Sequence, residues 1–265
     1  LTSRNESASI RAALCSSAAL LSAAKPSTKP ARPSSKIMSI PAAYSYSYKR
    51  PWPRPYCGDL GVARRVLWLR ADPQALRELR ARINLLAAQG YAFTSNTDSP
   101  WDVVVAPLPE SPEMEYYRDF LKSVEPSRVV QDRDPLAAIS RAVAFPRPRF
   151  SWMVLAVDSG TSMCGLAALA DGLVLEASPA PCGEVGWRVR ELASRVPHER
   201  LRVVVGNGAG WDELADELLG LGLPVGFVDE SGTTAPRLPL PLRLRDSNAR
   251  AALALALRSL AGEGW

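Results

Sequence analysis

Three acidic residues stand at the ends of predicted secondary-structure elements in the second half of the sequence. Asp158 ends an apolar strand, Glu230 ends another strand, and Asp246 opens the last helix. The carboxyl ends of parallel strands meet at one edge of a sheet, so these acids could converge there. Clustered carboxylates repel and desolvate one another, and they normally persist only with a hard divalent cation. We therefore expect Mg²⁺ or Mn²⁺ at this edge, where two such ions would activate water and stabilise the leaving oxygen of a phosphodiester.

Each of these acids also has an ordinary structural interpretation. An aspartate at a strand end shortly before glycine, as at Asp158, is often a turn residue. Asp246 fits a helix N-cap, and Glu230 fits a surface acid. Only the joint placement of the three acids in one predicted fold favours a metal site over these alternatives.

The hydrophobic pattern of residues 152–265 predicts the elements that must position these acids. In chain order they are strands 152–157, 164–170 and 173–177, helix 184–196, strand 201–205, a helix ending at residue 219, strand 223–229 and helix 246–261. Three antiparallel strands followed by two that run parallel to the first are what an RNase H-like fold requires. The predicted fold class is therefore α/β, with a mixed five-stranded sheet, helices on both faces, and Asp158 on the central strand.

Three sequence blocks within residues 153–256 resemble the RuvC-like nucleases of the RNase H superfamily, particularly their YqgF-like (RuvX) branch. Leu155–Gly165 is similar to the family's strand-one Asp motif, and Val228–Thr234 to its D-E-R-x-[ST]-T block. Asp246–Ala252 is similar to its D-[SA]-x-x-A helix start. Ser231 stands where the second block has arginine.

This resemblance implies that Asp158, Glu230 and Asp246 are the catalytic, metal-binding acids of a nuclease that requires Mg²⁺ or Mn²⁺. Its substrate would be structured DNA or RNA, as in Holliday-junction resolution or RNA processing. In the RuvC branch the fourth strand ends in a catalytic glutamate. Here Asn207, in a glycine-rich turn, holds that place, which resembles the YqgF-like branch. The residues expected to contact the substrate are Gly160, Thr161, Asn207, Gly208, Thr233 and Thr234.

The first half of the sequence divides into four segments. Residues 1–37 are rich in Ser, Ala, Lys and Pro, and we expect a disordered extension or codons upstream of a misassigned start at Met38. Residues 38–61 form a Pro-rich, aromatic and basic arm. Residues 62–145 alternate strands with helices that open at Asp-Pro, which predicts a small three-layer α/β domain, and 146–151 form a Pro/Arg linker.

Cysteine and histidine content limits the chemistry that the chain can perform. Four scattered cysteines and one histidine exclude a disulfide scaffold and a Cys/His zinc site, and they favour a reducing, cytoplasmic compartment. Cys164 lies in a predicted strand and is expected to be a core residue. No run of 18 apolar residues occurs, so a membrane is not an expected partner.

The net charge of +5 does not by itself indicate nucleic-acid binding. Residues 151–265 hold 10 basic and 14 acidic side chains and therefore carry a net charge of −4. Approach to a phosphate backbone would need bound cations or help from the basic residues before position 150. Structured DNA or RNA is the expected partner, and a second copy of the chain, as in a homodimer, is a further candidate partner.

Three other functions fit parts of the sequence. A catalytically inactive RNase H-like binding or assembly module would need no metal. Val157–Ser162 is also similar to the aspartic-protease loop, but that enzyme needs two such loops on an all-β scaffold, and helix 184–196 argues against it. The same segment is similar to the phosphate loop of actin-like ATPases, which use two RNase H-like halves.

Overall fold

The structure is a computed structural model that describes residues 64–230, 242 and 244–261 of the 265-residue chain. The predicted extension and arm, residues 1–61, lie outside these ranges. The described residues form two sheets, one of four strands and one of five. None of the helices in these ranges is long and apolar enough to span a bilayer.

The first sheet is entirely parallel, with strand order β2-β1-β3-β4. Its elements are β1 (Arg64–Trp68), α1 (Pro73–Ala87), β2 (Tyr91–Thr94), β3 (Val103–Val105), α2 (Glu113–Ser123), β4 (Val129–Val130) and α3 (Pro135–Ala144). Asp72 and Asp134 accept hydrogen bonds from backbone N–H groups in the first turns of α1 and α3, and each precedes a proline. These are the expected start signals of the two helices.

Alternating side chains of β1 bury the two faces of this sheet. Val66 and Trp68 join a core cluster that includes side chains of α1 and α3, whereas Leu67 and Leu69 pack with the α2 side of the sheet. The predicted three-layer α/β arrangement is therefore confirmed. The sequence analysis did not predict β2, whose four residues are half-buried or exposed at the edge of the sheet.

The second sheet has strand order β7-β6-β5-β8-β9. Its elements are β5 (Met153–Asp158), β6 (Met163–Ala170), β7 (Leu173–Pro181), α4 (Cys182–Arg195), β8 (Leu201–Gly206), α5 (Trp211–Gly220), β9 (Val225–Val228) and α6 (Ser247–Ala261). β5 is central, antiparallel to β6 and parallel to β8, and β9 continues in parallel. This is the strand arrangement that an RNase H-like fold requires, and the predicted fold class is confirmed.

Helices cover both faces of the second sheet. Val154 and Ala156 of β5 pack with Leu253 and Leu255 of α6, and Leu155 faces the side covered by α4 and α5. Gly165 allows α6 to approach β6 closely, because a Cβ there would lie 1.9 Å from the Asn248 carbonyl oxygen. The fold thus brings the start of α6 to the end of β5, which pairs with β6 at Asp158 and Gly165.

The two sheets share one continuous hydrophobic core and a set of charged contacts. Arg195 of α4 contacts Glu78 of α1 at 2.8 Å and Asp134 at 2.7 Å. Gln89 exchanges two 2.8 Å hydrogen bonds with the backbone of Val174, as an extra strand would. The division into two domains at residues 146–151 stays a prediction.

Cys164 and Cys182 form a disulfide that the sequence analysis did not predict. Cys164 lies in the buried core, as expected, and it is also half of this disulfide. The two residues are 18 positions apart in sequence, and the return of β7 along β6 brings their Cα atoms to 5.1 Å. That distance lies within the range that a disulfide spans.

Two of the alternative functions lose their structural basis. An aspartic protease needs an all-β scaffold, whereas the region after residue 152 contains α4, α5 and α6. An actin-like ATPase needs two RNase H-like halves, and the sheet formed by residues 64–130 is parallel throughout. Within the described ranges, only the second sheet has the RNase H-like order.

Candidate active site

Asp158 is the last residue of the central strand β5. Its neighbours across the strand pairs are Gly165 on β6 and, one residue earlier, Val205 on β8. The five preceding residues of β5 are fully buried, whereas Asp158 is half-buried at the edge of the sheet. A rigid central strand thus presents one carboxylate where the parallel strands end.

Glu230 lies two residues beyond the end of β9 and reaches the turn that follows β8. A Cβ added to Gly206 would lie 2.2 Å from one carboxylate oxygen of Glu230, and a Cβ added to Gly208 would lie 2.2 Å from the other. The backbone N–H of Glu230 also donates to Oδ1 of Asn207 at 3.0 Å. The glycines are therefore needed here for the close approach of a carboxylate to the backbone.

Ser159 connects the loop after β5 to this glycine-rich turn. Its Oγ lies 3.1 Å from the carbonyl oxygen of Gly206 and 3.3 Å from Oε1 of Glu230. A hydroxyl carries one proton, so Ser159 donates to one of these acceptors at a time. Ser159 is nearly buried, and it links the residue after Asp158 to the Glu230 carboxylate.

The surroundings of Asp158 disfavour its ionised form. Burial, and secondarily the charge of Glu230, raise the pKa of Asp158 to about 6. Both causes act against the ionised form of Asp158. The fold thus places Asp158 where its negative charge is disfavoured, chiefly by burial.

Asp246 is placed differently from the other two predicted acids. Its Oδ1 accepts a 2.8 Å hydrogen bond from the backbone N–H of Ala249, so it caps α6. Within the described residues, no group of three or more His, Cys, Asp or Glu side chains is placed to hold a metal ion. The structure brings Asp158 and Glu230 together, and the participation of Asp246 stays a prediction.

The other predicted site residues surround the acid pair or lie outside the described ranges. Gly160 and Thr161 are in the loop between β5 and β6, and the Gly160 carbonyl oxygen lies 3.5 Å from the Cβ position of Gly210. The loop therefore passes close to the end of the turn that holds Asn207 and Gly208. Thr233 and Thr234 lie outside the described residues.

Two exposed aromatic rings next to the turn were missed by the sequence analysis. Trp211 opens α5 directly after the glycine-rich turn, and Phe227 lies on the edge strand β9. Their ring centroids are 5.0 Å apart in an edge-to-face arrangement, and each residue is 36% exposed. Their positions on two separate elements carry no local spacing signal that could have revealed the pair.

Two solved RuvC structures are similar to the chain. Thermus thermophilus RuvC has 19% sequence identity and a TM-score of 0.33, over 43% of this chain and 99% of that one. The T. thermophilus RuvC complex with a Holliday junction substrate has 20% identity and a TM-score of 0.31, over 42% of this chain and 94% of that one. No family model and no curated protein matches the chain. At this identity the likeness concerns the fold alone.

Proposed function

We propose that the protein is a metal-dependent nuclease that hydrolyses phosphodiesters in structured DNA or RNA, as a Holliday-junction resolvase or an RNA-processing enzyme does. The observation that carries this proposal is the Asp158–Glu230 pair, two carboxylates held together at the carboxyl edge of an RNase H-like sheet. Burial, and secondarily the charge of Glu230, raise the pKa of Asp158, so a cation bound nearby would favour its ionised form.

The donor atoms suit a hard divalent cation. The pair supplies carboxylate oxygens, and Mg²⁺ is commonly bound by one or two carboxylates together with water and substrate phosphate. Asp158 and Glu230 would hold the ion, with Asp246 as a proposed third acid. When bound, such an ion supplies a water nucleophile at neutral pH and charge stabilisation at the phosphodiester.

The surrounding residues support this role by position. The central strand fixes Asp158, while Gly206 and Gly208 leave the space that the Glu230 carboxylate occupies. The exposed rings of Trp211 and Phe227 adjoin this turn and offer a face on which an unpaired base can stack. Unpaired or distorted bases occur at junctions, flaps and RNA loops, which favours structured nucleic acid as the substrate.

The test is single-turnover cleavage of labelled junctions, flaps, hairpins and single strands with and without Mg²⁺ or Mn²⁺. We expect cleavage only with the cation, and its loss in Asp158→Asn and Glu230→Gln with binding retained. The matched control is Asp98→Asn, an exposed loop aspartate after β2 of the first sheet, which should cleave like the wild type. Cleavage in chelator, or full activity of both site variants, would refute the proposal.

A second candidate function is a non-catalytic RNase H-like module for binding or assembly. Two observations favour it: the described residues contain no three-ligand metal group, and Asn207 rather than an acid follows β8. This candidate predicts nucleic-acid binding with a steep salt dependence and no cleavage of any substrate in the panel. Light scattering on the same samples checks whether the protein is a homodimer.

A further inference from the structure

The Cys164–Cys182 disulfide lies beside the loop 159–162 that follows Asp158. It joins the second residue of β6 to the first residue of α4. The strands β6 and β7 are already paired over eight residue pairs, including Cys164 with Ala180. The bond is therefore not needed to hold the hairpin, and its distinct effect is to fix the start of α4 against the loop 159–162.

Contacts lead from Cys182 to the acid pair through this loop. The backbone N–H of Cys182 donates to the Ser162 carbonyl at 3.0 Å, and its Sγ lies 3.3 Å from the Gly160 carbonyl oxygen. A disulfide sulfur carries no hydrogen, so the second contact is not a hydrogen bond, whereas a thiol at the same place could donate one. Gly160 adjoins Ser159, whose Oγ contacts Glu230.

We propose that Cys164–Cys182 is a thiol–disulfide exchange site whose redox state sets the position of the loop 159–162 and, through Ser159, the geometry of the Asp158–Glu230 pair. The exchange itself is independent of the nuclease activity. Only its effect on cleavage rests on the proposed function.

Burial determines which sulfur is attacked. Cys164 is 1% exposed, whereas Cys182 is partly exposed at the start of α4. One thiolate of a dithiol reductant attacks the Cys182 sulfur, the disulfide breaks, and Cys164 leaves as a thiolate that takes up a proton. The second thiol of the reductant then displaces Cys182, so the reductant becomes a disulfide and the protein gains two thiols.

The experiment uses the full chain with Cys15→Ser and Cys57→Ser, which leaves only the pair. Alkylation and intact mass should count no thiol before treatment with dithiothreitol and two afterwards. Reduction should lower the Tm by roughly 6–12 °C, since it releases an 18-residue loop constraint. Hydrogen exchange should become several-fold faster in residues 159–162, and the single-turnover cleavage rate should change with it.

Two variants in the same background control for the reagent. Cys182→Ser and Cys164→Ala should each show the fast exchange of the loop without reductant, and dithiothreitol should change neither of them. If the two variants behave alike, the faster exchange of the loop comes from loss of the disulfide and not from a packing defect at the buried Cys164.

The outcomes separate this proposal from the proposed function. Two alkylated thiols in the untreated protein would overturn the exchange site. Reduction with unchanged hydrogen exchange at 159–162 would overturn the coupling and leave the nuclease proposal intact. If neither redox form cleaves, the nuclease proposal fails, while hydrogen exchange still decides the coupling.

Discussion

Asp158→Asn should stabilise the protein near neutral pH, because it removes a charge that the fold holds at a cost. In the wild type, burial and the neighbouring Glu230 raise the pKa of Asp158 from 3.8 to about 6. Since one pKa unit corresponds to about 1.4 kcal/mol, the ionised form is disfavoured by about 3 kcal/mol. Solvent screening of a half-buried carboxyl reduces this to about 1–2 kcal/mol.

The sign of the effect depends on pH. The native state binds the Asp158 proton more tightly than the unfolded chain, so wild-type stability falls as pH rises from about 4 to about 6. Below that window Asp158 is protonated in both states, and the variant should gain nothing. Above it the variant should be fully stabilised relative to the wild type.

Thermal unfolding at about pH 3 and pH 7.5 in chelator measures this difference. We expect the Tm of Asp158→Asn to exceed that of the wild type by about 2–8 °C at pH 7.5 and to match it at about pH 3. Mg²⁺ should raise the Tm of the wild type and leave the Tm of Asp158→Asn unchanged. The difference in Tm between the two proteins should therefore become smaller. A variant that is less stable at pH 7.5, or equally stabilised at both pH values, would refute the electrostatic argument.

Two further predictions concern the surroundings of the acid pair. Gly208→Ala should abolish the Mg²⁺-dependent rise in Tm while the protein stays folded, because the new methyl group would displace the flexible end of Glu230 rather than backbone. Gly183→Ala, where a Cβ meets nothing within 4 Å, is the matched control. An equal loss of the Mg²⁺-dependent rise in Tm in this control would refute the role of the space at Gly208. Trp211→Ala should weaken binding of a flap substrate by about 1–3 kcal/mol in a fluorescence titration. Trp187→Ala, an exposed ring on α4, should leave that affinity unchanged, and equal effects would argue against specific stacking.

Local signals were sufficient to predict most of the elements. Asp72 before Pro73 marks the start of α1, and Asp171-Gly172 marks the turn between β6 and β7. Both turn residues have positive φ, 45° and 84°, which a tight hairpin requires. These features depend on neighbours in sequence, so the chain alone reveals them.

The contacts that define the candidate site depend on residues far apart in sequence. The close approach of Glu230 to Gly208, and the pairing of Cys164 with Cys182, arise only once β7 and β9 are in place. Glycine before a helix has an ordinary use as a turn residue, and scattered cysteines have an ordinary use in the core. The sequence therefore predicted the strand that ends at Asp158 but not the contacts that surround Glu230.

The acid pair is best explained by function because its local environment opposes stability. A neutral residue at position 158 would remove the electrostatic penalty, and residues with side chains at 206 and 208 would lower the backbone entropy lost on folding. The fold instead keeps Asp158, Glu230 and two glycines together, with Ser159 bridging them. Such departures from optimal stability are expected at sites where a ligand supplies the missing free energy.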